Sequence, residues 1–269
     1  MVAFGLLIEQ IIDGIKRRKR PSLSRNEWKT VPWTKSSKQT KDLLLDILVE
    51  VPGILEDIDN CESQDDPDIR HDEYWRLVVS CLGLHAQLRD WYDALPPEHR
   101  YVDTFSLITE DDRATEELPG MYTMLLYWST CLYLYNAMRV HGQRRPASVP
   151  PFLPEDAMDL GQYVSNVARL LPFFFKPNAG KANLLLAAFP LGTALQFITL
   201  LKGQACVGDT LLEEDSNKLM SLFTKPDFKP IMDFLNSLQR DTDIRGEQSA
   251  ATFEDRAKQW AGYTTLERT

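Results

Sequence analysis

No two cysteines stand close enough in this sequence to grip a metal ion together. Cys61, Cys81, Cys131 and Cys206 are separated by 20, 50 and 75 residues, spacings that match no zinc ribbon, finger or redox pair. The chain is not a small disulfide-stapled scaffold either, so free buried thiols in a reducing compartment are the simplest expectation. Histidine is equally scarce: His71, His85, His99 and His141 form no H-E-x-x-H pair, and none stands with cysteine at the spacing of a zinc site. There is no G-x-S-x-G elbow, no P-loop and no G-x-G-x-x-G, which removes the well-marked serine hydrolases, nucleotide hydrolases and dinucleotide enzymes. Cys81 and His85 are spaced i, i+4, but no oxyanion donors accompany them, so they are not read as a nucleophile pair. No catalytic residue, metal or cofactor is assigned, and the reading leans away from an enzyme.

Strand-like alternation is nearly absent as well. What is present is helical spacing. Phe4, Leu7, Ile8, Ile11, Ile12 and Ile15 fall on one helical face. Positive charge from Lys16 to Arg20 follows at the helix C-terminus, where the macrodipole favours it, and Pro21 ends the segment. Residues 21–38 read as an irregular connection. A helix is expected from about 38 to 57, kinked or split at Pro52, then an acidic loop over 57–68. Another helix is expected from about 71 to 94, stopped by Pro96 and Pro97, and a loop over 97–117. Met121, Leu125, Trp128, Leu132 and Tyr135 repeat at steps of four and three, the seam of a long packed helix. A loop over 142–151 and helices near 154–173, 181–206, 211–223, 228–240 and 250–262 complete the reading. The fold class is all-α: a multi-helix bundle or an irregular, solenoid-like helical domain. Residues 1–38 form an N-terminal amphipathic helix with its basic run and connection, and residues 39–269 form the main helical domain.

Two windows, 121–138 and 182–201, carry no charge and approach the roughly 20 residues that cross a bilayer. Both contain hydroxyl and amide side chains that lipid would penalise, so they are read as helices buried all round in a protein core. No membrane partner and no signal peptide are expected.

Charge is split along the chain. Residues 1–41 hold ten Lys and Arg against three carboxylates, which leaves 20 basic and 36 acidic side chains for the rest. An acidic body repels phosphate, so only the N-terminal stretch could meet nucleic acid, weakly and without reading sequence. Lys16, Arg17, Arg18, Lys19 and Arg20 are the candidate nuclear-import run; the competing reading is a solvated, dipole-favoured helix end. Asp65, Asp66, Asp68, Asp72 and Glu73 lack the glycine and closing glutamate of a calcium loop and read as solvated.

Four segments carry a resemblance. The first is Glu27-Trp28-Lys29-Thr30-Val31-Pro32-Trp33, continued by Lys41-Asp42 and the helix Leu43–Leu55. The second is Ser80–Trp91, with Cys81, His85, Leu88 and Trp91-Tyr92. The third is Leu126-Tyr127-Trp128 with Leu132 to Tyr135, and the fourth is Phe189-Pro190-Leu191-Gly192-Thr193-Ala194. In this order and spacing they resemble the C-terminal regulatory region of fungal binuclear zinc-cluster transcription factors, the fungal-specific transcription factor domain, over about residues 4–240.

The resemblance implies a helical domain that modulates transcription rather than reading DNA. Such factors carry six clustered cysteines that bind two zinc ions and set a helix in the major groove. Nothing in this sequence resembles that cluster, and Met1 falls inside the regulatory region. The expectation is therefore a regulator without its DNA-binding head, located in the nucleus (alternatively the cytoplasm). It would act through a protein partner such as a full-length zinc-cluster factor, with a small-molecule effector as a further option. Control of a fungal secondary-metabolite gene cluster is the implied setting. Two alternatives stay open. One is a biosynthetic enzyme or ligand-binding protein that reuses the domain, with a pocket at His85, Arg89, Tyr127 and Arg139, polar groups on otherwise apolar helices. The other is a truncated, non-functional regulator.

Overall fold

A computed structural model describes residues 2–100, 114–143, 153–154, 159–175, 181–202 and 217. Among them every regular element is helical, with no strand. The helices are α1 (Val2–Arg17), α2 (Asn26–Thr30), α3 (Thr40–Leu48), α4 (Val51–Glu62), α5 (Pro67–Asp93), α6 (Ala114–Gln143), α7 (Leu160–Leu170) and α8 (Lys181–Lys202). The all-α expectation holds. The helices expected near 211–223, 228–240 and 250–262 lie outside the described residues, apart from Lys218's neighbour Asn217, which is helical.

The chain divides into two compact units. One comprises residues 1–107 and 123–166, the other residues 108–122 and 167–269.

In the first unit, α1 buries Ile8, Ile11 and Ile15, part of the face that the sequence pattern marks, and packs on α4. Its end is a Schellman turn. The Lys19 N–H donates to the Gly14 carbonyl at 2.9 Å and the Arg18 N–H to Ile15 at 3.2 Å. Arg18 takes the left-handed conformation there, with φ of 53°. Small residues let the helices meet closely: a methyl group on Gly14 would stand 3.1 Å from Pro52 Cβ and 3.0 Å from the Lys19 carbonyl oxygen.

The split at Pro52 occurs as expected. α3 ends at Leu48, and α4 restarts at Val51 with Pro52 in its first turn, where the missing N–H costs nothing. The acidic loop expected over 57–68 is a correction. Its first half is the last part of α4, and only residues 63–66 separate that helix from α5. Ile58 and Cys61 are buried, so two apolar anchors outweigh the surrounding carboxylates. Asp66 then caps α5, accepting from the Asp68 N–H at 2.9 Å, with Pro67 as the first helical residue. The connection over 21–38 also contains more structure than expected, namely α2 flanked by two short 3₁₀ turns.

α5 packs on α3 and α4. Trp91 anchors it to the start of α3 by donating its indole N–H to the Thr40 carbonyl at 2.8 Å. In α6, Trp128, Leu132 and Tyr135 are buried, and the buried hydroxyls of Ser129 and Thr130 each donate to the carbonyl four residues back at 2.7 Å. That internal pairing is how an uncharged window keeps polar groups inside a core. The expected loop at 142–151 starts later than its first residues, since α6 runs to Gln143.

In the second unit, Tyr122 lies 6.3 Å from Phe174, ring centre to ring centre. α8 packs on the 3₁₀ turn Leu171–Phe175. Pro190 sits inside α8, and the Thr193 hydroxyl donates to the Phe189 carbonyl at 3.0 Å. No helix among the described residues is long and apolar enough to cross a membrane.

Candidate interaction surface

The basic run lies along the acidic side of α4. The Arg18 guanidinium makes a bidentate pair with Asp59 at 2.6–3.0 Å and reaches the Leu55 carbonyl at 3.3 Å. Lys19 Nζ lies 3.0 Å from Glu56, and the Arg20 backbone N–H donates to the same carboxylate at 2.8 Å. Arg20 also bridges Glu50 at 3.2 Å and Asp57 at 2.8 Å, its guanidinium lying over the bare Cα of Gly53. Arg17 pairs within α1 with Asp13 at 2.8 Å. Lys16 is exposed on the same helix.

These contacts have an electrostatic reason. α4 carries Glu56, Asp57 and Asp59 close together, and Glu50 stands at its N-cap. The Arg20 N–H and the Lys19 ammonium hold the Glu56 carboxyl below its ordinary value. Burial pushes Asp57 up, and the repulsion of Glu56, Glu50 and Glu73 adds to this, against the pull of Arg20. The cationic run thus neutralises a face that would otherwise repel itself. Each pair is partly exposed, so each is worth under about 1 kcal/mol; the set acts as a staple.

The four polar positions of the expected pocket, His85, Arg89, Tyr127 and Arg139, fall in α5 and α6. His85 Nδ1 lies 3.1 Å from the Tyr135 hydroxyl, and Tyr135 in turn lies 5.5 Å from the Tyr163 ring. Tyr127 stacks instead on Trp91 at 5.3 Å and on Tyr92 at 5.0 Å, and burial pushes its hydroxyl far up. Arg139 donates to Asn136 Oδ1 at 3.3 Å, while its buried Nε has no hydrogen-bond partner. Arg89 is exposed. His85 and Tyr127 therefore engage different aromatic partners.

Cys81, one turn before His85, is fully buried and its thiol is pushed up to about 12, so it is held as an inert thiol. Cys61 and Cys131 are buried free thiols as well. Among the described residues no three His, Cys, Asp or Glu side chains converge as a metal site.

One surface was not singled out from the sequence. Trp75, Val79 and Leu82 are exposed at 38%, 67% and 37%, and Ala86 follows them, also exposed. At i, i+4, i+7 and i+11 they form one stripe on α5. It lies opposite the buried face of Tyr74, Leu77, Val78, Cys81, Leu84, Leu88 and Trp91. Trp75, Val78, Val79, Leu82 and Ala86 are all apolar positions of the helix expected over 71–94, yet only Val78 among them is buried, because α5 is apolar on both sides and helical spacing alone does not say which side faces inward. The Trp75 indole is steadied by donating to His71 Nε2 at 3.2 Å.

Comparison with protein-family models, with curated proteins and with solved structures gives no match.

Proposed function

We propose that this chain is a transcription-factor-like regulatory protein that lacks a DNA-binding zinc cluster of its own and acts through protein partners in the nucleus, controlling a fungal secondary-metabolite gene cluster. One observation supports the reading most. Segments that carry the resemblance, far apart in sequence, pack on one another in one unit. Trp91 and Tyr92 of the second segment stack on Tyr127 of the third, and His85 of the second meets Tyr135 of the third. The test is expression of the tagged chain in a fungal host, with localisation and associated proteins read together. Nuclear accumulation with recovery of a protein bearing a six-cysteine zinc cluster supports the reading. A diffuse chain without such a partner overturns it.

A ligand-binding reading is favoured by one specific feature, the buried Arg139 Nε that no acceptor meets. Such a donor suits an anionic metabolite. A thermal shift with a small carboxylate such as citrate, lost in Arg139→Gln, is its test; no shift with any small carboxylate removes it.

A further inference from the structure

We infer that α5 is a self-association surface on which a second copy of this chain docks its own α5 antiparallel. The inference goes beyond the regulatory reading and stands on α5 alone.

The exposed positions Asp72, Trp75, Val79, Leu82, Ala86 and Arg89 follow steps of three, four, three, four and three, the seam of a two-helix coiled pairing. Set against itself antiparallel about a two-fold axis between residues 80 and 81, the seam is complementary in both size and charge. Val79 meets Leu82 at the centre. The large Trp75 meets the small Ala86. Asp72 meets Arg89, so an anion faces a cation at each end of the apolar stretch. A two-fold axis makes every such contact twice. A methyl group added to Gly83, beside the seam, would meet nothing within 4 Å, so the backbone there is open to close approach. Asp68 and Asp93 would face each other beyond these layers, at the two ends of the helix, and confine the pairing to the six central positions.

Orientation follows from the same charges. In a parallel pair Asp72 would meet Asp72 and Arg89 would meet Arg89, like charges in both layers. The antiparallel pair removes both repulsions. α5 packs on α3 and α4, while Trp75, Val79 and Leu82 on the stripe stay exposed.

The test is sedimentation of the full chain over a concentration series, with circular dichroism to confirm folding of each variant. The wild type should pass from monomer to dimer. Val79→Asp, at the most exposed stripe position, should leave helicity unchanged and weaken dimerisation at least about tenfold. Asp72→Arg alone and Arg89→Asp alone should each weaken it, and both changes in one chain should restore it, because each reversed residue then faces its reversed counterpart. A wild type that stays monomeric overturns the inference. A dimer indifferent to Val79→Asp, or one that the double reversal fails to restore, overturns it as well.

Discussion

Arg18 holds Asp59 in a bidentate pair at 2.6–3.0 Å from a backbone position, φ 53°, that glycine usually fills. The left-handed conformation costs a side chain about 1 kcal/mol, and a part-exposed ion pair returns up to about 1 kcal/mol. The two nearly cancel. Arg18→Gly should therefore leave stability within about 0.5 kcal/mol of wild type, whereas Arg18→Ala, which keeps the backbone cost and loses the pair, should destabilise by about 0.5–1 kcal/mol. Chemical denaturation of the three proteins checks the order, and Ala matching Gly would remove the argument.

The same contact bears on nuclear import. The cations of residues 18–20 cannot serve Asp59, Glu56 and Asp57 on α4 and Glu50 at its N-cap and an import receptor at the same time. If the run is an import signal, α4 competes with the receptor for it. Asp59→Asn with Glu56→Gln should then raise the nuclear fraction of a fluorescent fusion, and alanines at Lys19 and Arg20 should lower it. A distribution that responds to neither change would leave the run as a staple between helices and nothing more.

Glycine to alanine inside a helix normally gains about 1 kcal/mol. Gly14 should do the reverse, because its added methyl meets the Lys19 carbonyl at 3.0 Å and the rigid Pro52 ring at 3.1 and 3.2 Å, none of which can swing away. Gly14→Ala should lower stability by about 1–2 kcal/mol. Gly53→Ala collides at 2.6–2.8 Å only with the tip of the Arg20 side chain, which can move. It should be close to neutral in stability while loosening the Arg20 pairs. Thermal unfolding of the two variants side by side decides the point.

The helices with one apolar face were legible in the sequence, and their buried positions follow its spacing: Ile8, Ile11 and Ile15 in α1, and Leu44, Ile47 and Leu48 in α3. The split at Pro52 was legible because proline fits only the first turn of a helix. Charge misled at 57–62. Asp57, Asp59 and Glu62, with Asp65, Asp66 and Asp68 beyond them, suggested solvent, yet Ile58 and Cys61, one turn apart, are enough to seat the end of α4. The α5 stripe was hidden for the opposite reason. Trp75, Val79 and Leu82 are as apolar as Leu77, Val78 and Leu84, so only the packing separates the inner face from the outer one. For the pocket positions, spacing placed His85 and Tyr127 on apolar helices but carried no information about which aromatic neighbour each would take.

His141 supplies a pH test. Its ring stacks on Tyr74 at 4.3 Å, and its Nε2 lies 3.5 Å from the Tyr74 carbonyl. Burial lowers the imidazole from its ordinary value of 6.5, although the carbonyl, a good acceptor for the protonated ring, works the other way. The folded chain therefore keeps this histidine neutral where the unfolded chain accepts a proton. Above the unfolded value both states are neutral and the contribution to stability is fully present. As pH falls through 6.5 the unfolded state is favoured progressively, and the loss ends only below the lowered folded value. The urea midpoint should accordingly drop as pH falls below about 7, with a slope of at most about 1.4 kcal/mol per pH unit from this group. His141→Phe keeps a ring against Tyr74 but cannot titrate, so it should flatten the His141 share of that drop while leaving the midpoint at pH 7.5 or so little changed. A drop of the same size in both proteins would mean that other groups carry the acid sensitivity and that His141 is protonated as readily in the folded chain as in the unfolded one.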